Sequence, residues 1–227
     1  MKKAMTLDLQ RTALLLVDFQ EEQRRDPHVA GIGFDNAISN ARKLLLSARA
    51  NHIRVFHSAY RRDFEICPPR PFEPLAADGA PAFSDKTSPL TEICEEVEPA
   101  NGERVIFKND ASAFSEGSLQ PAMTKAEIEW VIIAGVWTEA CVAASVRDAM
   151  AAGFRVLLVK DACGSGTEAM HQTAVLNIAN RLYGGAITGT ATVLKLMSGH
   201  EADVWILERP AQIRFNYSDA AEMYGSL

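Results

Sequence analysis

No two cysteines in this chain of 227 residues form a C-x-x-C pair: Cys67, Cys94, Cys141 and Cys163 are scattered singly. That spacing suggests neither a zinc ribbon nor a disulfide framework, and a reducing cytoplasm is the expected compartment. Long apolar runs are also missing, and none approaches the ~18 residues needed to cross a membrane. After Met1-Lys2-Lys3 only Ala4-Met5-Thr6-Leu7 precede Asp8, too little for a signal-peptide core. Basic charge is scarce. Lys and Arg number 23 against 29 Asp and Glu, and the net charge of -6 leaves no footprint for nucleic acid. There is no internal repeat and no low-complexity segment.

What remains is an ordinary globular composition, with 48% hydrophobic and 23% charged residues. A chain of this length suffices for one α/β domain and buries roughly 70% of its unfolded surface. Strand and helix patterns alternate. Thr12–Asp18, Ile53–Ser58, Val105–Phe107, Trp130–Ala134, Phe154–Val159 and Ala186–Thr188 read as strands. Helices are expected from Asp35 as N-cap, from about Leu119, over Glu139–Ala152 and Glu168–Leu182, and over Ala191–Met197. Such alternation predicts a single doubly wound, mainly parallel sheet of about six strands with helices on both faces. Arg61–Thr87, stretched to Pro89, holds six prolines and reads as a long functional loop. Residues 1–200 are expected to form the domain. The tail 201–227 carries Trp205, Ile206, Leu207, Ile213, Phe215, Tyr217 and Tyr224, too apolar for a free end, and is expected to pack on a neighbouring subunit.

The most informative stretch is Val131–Val142. A β-branched run up to Ile133 suits a strand buried on both faces. Gly135 punctuates it, Thr138 offers an N-cap and Glu139 suits a first helical turn, so Cys141 falls near a helix N-terminus. A thiol there is expected to have a lowered pKa and to act as a nucleophile, although a cysteine beside Val142 and Ala143 also fits a small core residue. Two further strands decide between these. One ends Val17-Asp18 and another ends Phe107-Lys108. Parallel sheets bind ligands outside the carboxyl ends of their strands. Carboxylate, ammonium and thiol therefore converge on one edge.

At this point the chain resembles the isochorismatase-like cysteine hydrolases, a family that includes nicotinamidases, N-carbamoylsarcosine amidase and biuret hydrolase. The matching segments are Leu15–Gln20, Phe107-Lys108 with Ser112-Ala113-Phe114, Gly135–Val142, and Val159–Gly164 with His171 downstream. The resemblance spans about Thr12 to Met197 and implies the family's three-layer, Rossmann-like fold. It makes Asp18, Lys108 and Cys141 a catalytic triad, with a cis peptide between Val136 and Trp137. The amides of Trp137 and Cys141 then form an oxyanion hole. Because relatives that cleave the vinyl ether of isochorismate do not use this thiol, Cys141 favours a C–N bond. The implied activity is hydrolysis of a small amide, ureide or carbamoyl compound through a thioester. The implied assembly is a homodimer or homotetramer.

Other readings are weaker. Cys141 and Arg147 match the C-x5-R of cysteine phosphatases, but Val-Ala-Ala-Ser-Val between them continues a helix instead of wrapping a phosphate. Nicotinamidases carry an Asp-x-His metal pattern after the second strand, whereas this chain reads His57-Ser58-Ala59-Tyr60-Arg61-Arg62-Asp63. No metal or other cofactor is expected, which makes nicotinamide a poor guess for the substrate, and a nicotinamide-like amide stays only as an alternative. Candidate pocket residues are Phe19, Gln20, Tyr60, Phe114, Trp137 and Tyr183, and Arg61, Arg62 and Arg70 are candidates for a substrate carboxylate. Biuret hydrolases carry Gln where Tyr183 stands. Cys163 reads as structural. A catalytically idle family member serving as a binding module is the alternative from another functional class.

Overall fold

The computed structural model describes every residue from Met1 to Leu227. In chain order the strands are β1 (Lys2–Met5), β2 (Thr12–Val17), β3 (Arg54–Tyr60), β4 (Arg104–Lys108), β5 (Trp130–Val136), β6 (Arg155–Gly164), β7 (Ala186–Thr188) and β8 (Ala202–Ile206). The helices are α1 (Glu22–Arg25), α2 (Phe34–Ala50), α3 (Leu119–Lys125), α4 (Ala143–Ala151), α5 (Glu168–Ala179), α6 (Thr190–Met197) and α7 (Ala220–Ser226). A single sheet runs β1-β8-β7-β6-β5-β2-β3-β4. The six strands from β2 to β7 are parallel, while β8 is antiparallel to both β7 and β1. No helix is long and apolar enough to cross a membrane.

Alternation along the central strands divides the interior into two cores. Leu15, Val17, Val131, Ile133, Val156 and Leu158 face one side, where α3, α4, α5 and α7 pack. Leu14, Leu16, Ile132, Ala134, Leu157 and Val159 face the other, covered by α2 and α6. Burial of one such side chain contributes about 1.5–3 kcal/mol, and both faces of β2 and β5 are closed. From β2 the chain winds outward through β3 and β4, then returns to β5 on the other flank. The reversal falls between β2 and β5. In an open α/β sheet that switch point is where a crevice opens beyond the strand ends.

Gly135 lets these two strands approach. Its φ is +154°, and a Cβ there would lie 2.3 Å from the Val17 carbonyl oxygen. Gly135→Ala is therefore expected to lower Tm by roughly 10 °C or to abolish soluble expression, from a cost of about 4 kcal/mol. Thermal unfolding measures it, and an unchanged midpoint would contradict this packing.

Two strands and two helices are not anticipated from the sequence: β1, β8 and α7 lie at the chain's ends, and α1 is a single turn soon after β2. β1 is an exposed edge strand with two lysines, and short charged edges carry little hydrophobic pattern. The tail packs on its own chain. Trp205, Ala220 and Leu227 are buried in the core beneath α5, with Leu207, Ile213, Phe215 and Tyr224 against it, while Tyr217 is exposed. Much of the apolar content that suggests a neighbouring subunit thus packs, wholly or in part, on its own chain, and the sheet continues past residue 200 through β8. Deleting Asp219–Leu227 removes the buried Ala220 and Leu227. That is expected to cost about 2–4 kcal/mol and to lower Tm by about 5–10 °C.

Two expected caps differ. α2 begins at Phe34 after Gly33 in the left-handed region, so Asp35 lies in the first turn and not at the cap. Thr138 donates its hydroxyl to the Gly164 carbonyl (2.9 Å) instead of capping, and Thr138–Val142 form a wide π turn before α4.

Candidate active site

The chain leaves β2 in a sharp turn. Asp18 has φ +54° and is 1% exposed, its N–H donating to the Ser58 carbonyl at 3.0 Å. The Ser58 hydroxyl donates to Asp18 Oδ1 at 2.8 Å, so the end of β3 sets the orientation of the carboxylate. Lys108 closes β4 and crosses beneath the Tyr60 ring, its Nζ 4.9 Å from the ring centroid, to stand 2.8 Å from Asp18 Oδ2. It is wholly buried, and it donates to the carbonyls of Asp110 (3.1 Å) and Ala111 (2.7 Å). Asp18 Oδ2 itself receives no aligned hydrogen bond. That oxygen is ion-paired but keeps a free lone pair. A buried acceptor of this kind calls for a partner.

The partner available is the Cys141 thiol, which faces both Asp18 and Lys108 from the π turn after β5. Burial first and the Asp18 carboxylate second push this thiol up to about 12, with Lys108 only partly opposing them. This corrects the expectation of a lowered pKa. The helix terminus and cation are present, but desolvation and an adjacent carboxylate outweigh them. The resting group is a neutral thiol that needs a base. Burial would lower the Lys108 ammonium, yet Asp18 and Cys141 outweigh it and hold the group above its ordinary value. Asp18 and Lys108 already cancel in charge. Moving the thiol proton to Asp18 Oδ2 leaves a thiolate beside the ammonium, and the buried site stays neutral throughout.

The peptide bond between Val136 and Trp137 is cis. The Trp137 N–H makes no hydrogen bond, and Trp137 and Cys141 both border a cavity of about 410 Å³ above Asp18. The indole is held by its Nε1 donating to Gln23 Oε1 at 2.7 Å. Its ring edge passes so close to Gly166 that a Cβ there would lie 2.9 Å away. Behind this turn a polar chain runs from Thr138 through His171 Nδ1 (2.8 Å) and Nε2 to the Tyr224 hydroxyl (3.0 Å). Burial lowers His171 to about 4, so the imidazole is neutral in this chain.

Of the candidate pocket residues, Tyr60 and Trp137 border the cavity. Burial pushes the Tyr60 phenol up to about 12. The other four lie elsewhere. Phe19 is buried against Phe34 at 6.0 Å in the core beneath α2. Gln20 imitates a strand, accepting from Tyr60 N–H (2.8 Å) and donating to the carbonyls of Tyr60 (3.0 Å) and Thr91 (2.7 Å). Every polar atom of that amide is engaged in the fold. Phe114 packs near Phe154 at 6.2 Å in the opposite core. Tyr183 precedes β7 and so lies at the amino edge of the sheet, in a small separate cavity that also takes Arg147.

Among the arginines only Arg70 reaches the main cavity, and it pairs with Asp110 at 2.6 Å. Arg62 is buried in a two-pronged pair with Glu73, and Arg61 pairs with Glu92. Sequence reasoning misses Glu22, Gln23, Phe83, Ser84 and Asp110 in the wall. The one signal for any of them is the proline-rich loop, which supplies Phe83 and Ser84.

His57 is buried and meets Glu103 at 3.0 Å, while Asp63 pairs with Lys86, so the two do not share a site. Glu21, Cys94 and Glu96 approach one another at ligand spacing, but Arg24 occupies that cluster with two bonds to Glu96. Cys163 is buried in the core, where desolvation pushes its thiol up to about 12.

The Isochorismatase domain profile matches residues 12–192. Maleamate amidohydrolase of Pseudomonas putida is 32% identical over 187 residues, which cover 78% of this chain and 83% of that protein. N-carbamoylsarcosine amidase of Arthrobacter is 28% identical over 199 residues, covering 82% and 71%. A cysteine hydrolase from Pseudomonas syringae pv. phaseolicola shares the fold with a TM-score of 0.76 at 18% identity, over 86% of this chain and 95% of that one. With its mainly parallel sheet and its crevice at the β2–β5 reversal, the chain belongs to the isochorismatase family of hydrolases.

Proposed function

We propose that this protein is a cysteine-dependent amidohydrolase that cleaves the C–N bond of a small amide, ureide or carbamoyl compound. The observation that carries this reading is the free lone pair on Asp18 Oδ2, buried beside both Lys108 and the Cys141 thiol. Asp18 takes the thiol proton as general base while Lys108 balances the new thiolate. The sulfur attacks the carbonyl carbon, and the oxyanion is received by the amides of Trp137 and Cys141. One such donor is worth about 3 kcal/mol in the transition state. Protonated Asp18 then passes its proton to the leaving nitrogen as the C–N bond breaks, giving ammonia or an amine and a thioester on Cys141. Water, deprotonated by the same carboxylate, attacks the thioester, releases the acid and returns the proton to sulfur.

The relatives support this class of reaction, since maleamate amidohydrolase and N-carbamoylsarcosine amidase are both named as amide-cleaving enzymes. Four unpaired thiols fit a reducing compartment, the cytoplasm in this reading. A homo-oligomer is part of the same reading, and size-exclusion chromatography measures it. The function is tested by ammonia release across a panel of linear amides, carbamoyl compounds and ureides, with iodoacetamide-treated protein as control. Release that alkylation abolishes is expected. Absence of release across the panel would favour an idle binding module, and release insensitive to alkylation would overturn the thiol mechanism.

A further inference from the structure

Asp18 lines the cavity with the buried Lys108 paired behind it, and Arg70 in the wall stands against Asp110. Glu22, the remaining charged side chain in the wall, has no ion-pair partner. It is 4% exposed, and a single residue holds it: the Ser84 N–H donates to Oε1 at 2.7 Å and the Ser84 hydroxyl donates to Oε2. A carboxylate accepts about four hydrogen bonds, so roughly half of this one's capacity is unused. Three acidic and two basic groups leave the site one negative charge in excess. In a cleft with low-dielectric walls that charge is focused on whatever enters.

The arginines do not reverse this. Arg61 and Arg62 are committed to Glu92 and Glu73, and Arg70 is about half exposed and already neutralised by Asp110. A substrate carboxylate would have to displace Asp110 and approach Glu22 as a like charge. A donor nitrogen would instead fill the acceptor places that Glu22 leaves open.

We propose that Glu22 is the specificity determinant of this cavity and that the end of the substrate remote from Cys141 carries a donor nitrogen group, an ammonium, guanidinium or ureide. The inference rests on the amidase reading only in placing the reacting carbonyl at Cys141. Glu22 does not take part in bond breaking. It accepts N–H bonds from the substrate and turns the scissile carbonyl toward the thiol.

The test is protection of Cys141 from iodoacetamide by three small compounds: ethylguanidinium, ethylurea and butyrate. In the wild type, ethylguanidinium is expected to protect at concentrations at least tenfold below butyrate, with ethylurea between them. Glu22→Gln keeps an acceptor for the Ser84 N–H and so keeps the loop anchored, and it is expected to erase the guanidinium preference. Ser84→Ala removes the hydroxyl but leaves the charge, and is expected to retain the order. No protection by ethylguanidinium, strongest protection by butyrate, or an order unchanged in Glu22→Gln would each overturn the proposal. Alkylation requires no turnover, so failure of ammonia release would sink the amidase reading and leave this result standing.

Discussion

Cys141→Ala is expected to reduce ammonia release by on the order of 10⁴- to 10⁶-fold, as loss of the nucleophile does in enzymes that act through a covalent intermediate. The fold should survive. Cys141 sits partly buried against the core below α4, and deleting one sulfur costs about 1 kcal/mol, a shift of only a few degrees in Tm. Substrate binding should survive as well, since Tyr60, Trp137 and Glu22 remain in the wall. Calorimetric titration of the variant with a substrate of the wild type, alongside thermal unfolding, separates these effects. Substantial hydrolysis by the purified variant would mean that the thiol does not carry the reaction.

The second large effect concerns Asp18 and Lys108, whose influences on the thiol have opposite signs. Burial and Asp18 raise Cys141, while Lys108 lowers it. Asp18→Asn removes the negative charge and the proton acceptor together. Alkylation of Cys141 should then move to lower pH and run faster at pH 8–9, even as turnover collapses. Lys108→Met removes the stabilising ammonium, so its alkylation profile should move to higher pH. At a fixed pH well below the thiol's pKa, moving that pKa by one changes the thiolate fraction about tenfold. Iodoacetamide rates against pH, compared with kcat for the same variants, give both readings. Superimposable profiles for all three proteins, with turnover retained in Lys108→Met, would remove the ion pair from the mechanism.

Much of this arrangement is legible in the sequence because strand exits are legible. The runs ending at Val17, Phe107 and Val136 are largely apolar, and the groups that follow them meet at one edge. What sequence does not carry is where side chains turn after the exit. Phe19 and Gln20 follow Asp18 directly, yet its left-handed backbone sends one into the α2 core and the other into a mimic of strand pairing. Glu22, two residues further on, is invisible in the sequence because its partner Ser84 lies 62 residues away in the proline-rich loop.

The thiol's pKa escapes a sequence reading for a related reason. A cation and a helix terminus can be inferred locally, but the desolvation that outweighs them comes from packing across the sheet. The tail misleads because the Ala202–Ile206 strand offers little hydrophobic pattern until β7 and β1 are seen on either side of it.

The most direct test of the central claim is intact-protein and peptide mass spectrometry of acid-quenched enzyme during turnover of a substrate found in the ammonia assay. The account predicts an added acyl mass, equal to substrate minus ammonia or amine, on the peptide that contains Cys141. The adduct should decay as substrate is exhausted and be absent in Cys141→Ala. Steady ammonia release with no adduct on Cys141, or an adduct on another residue, would contradict the account.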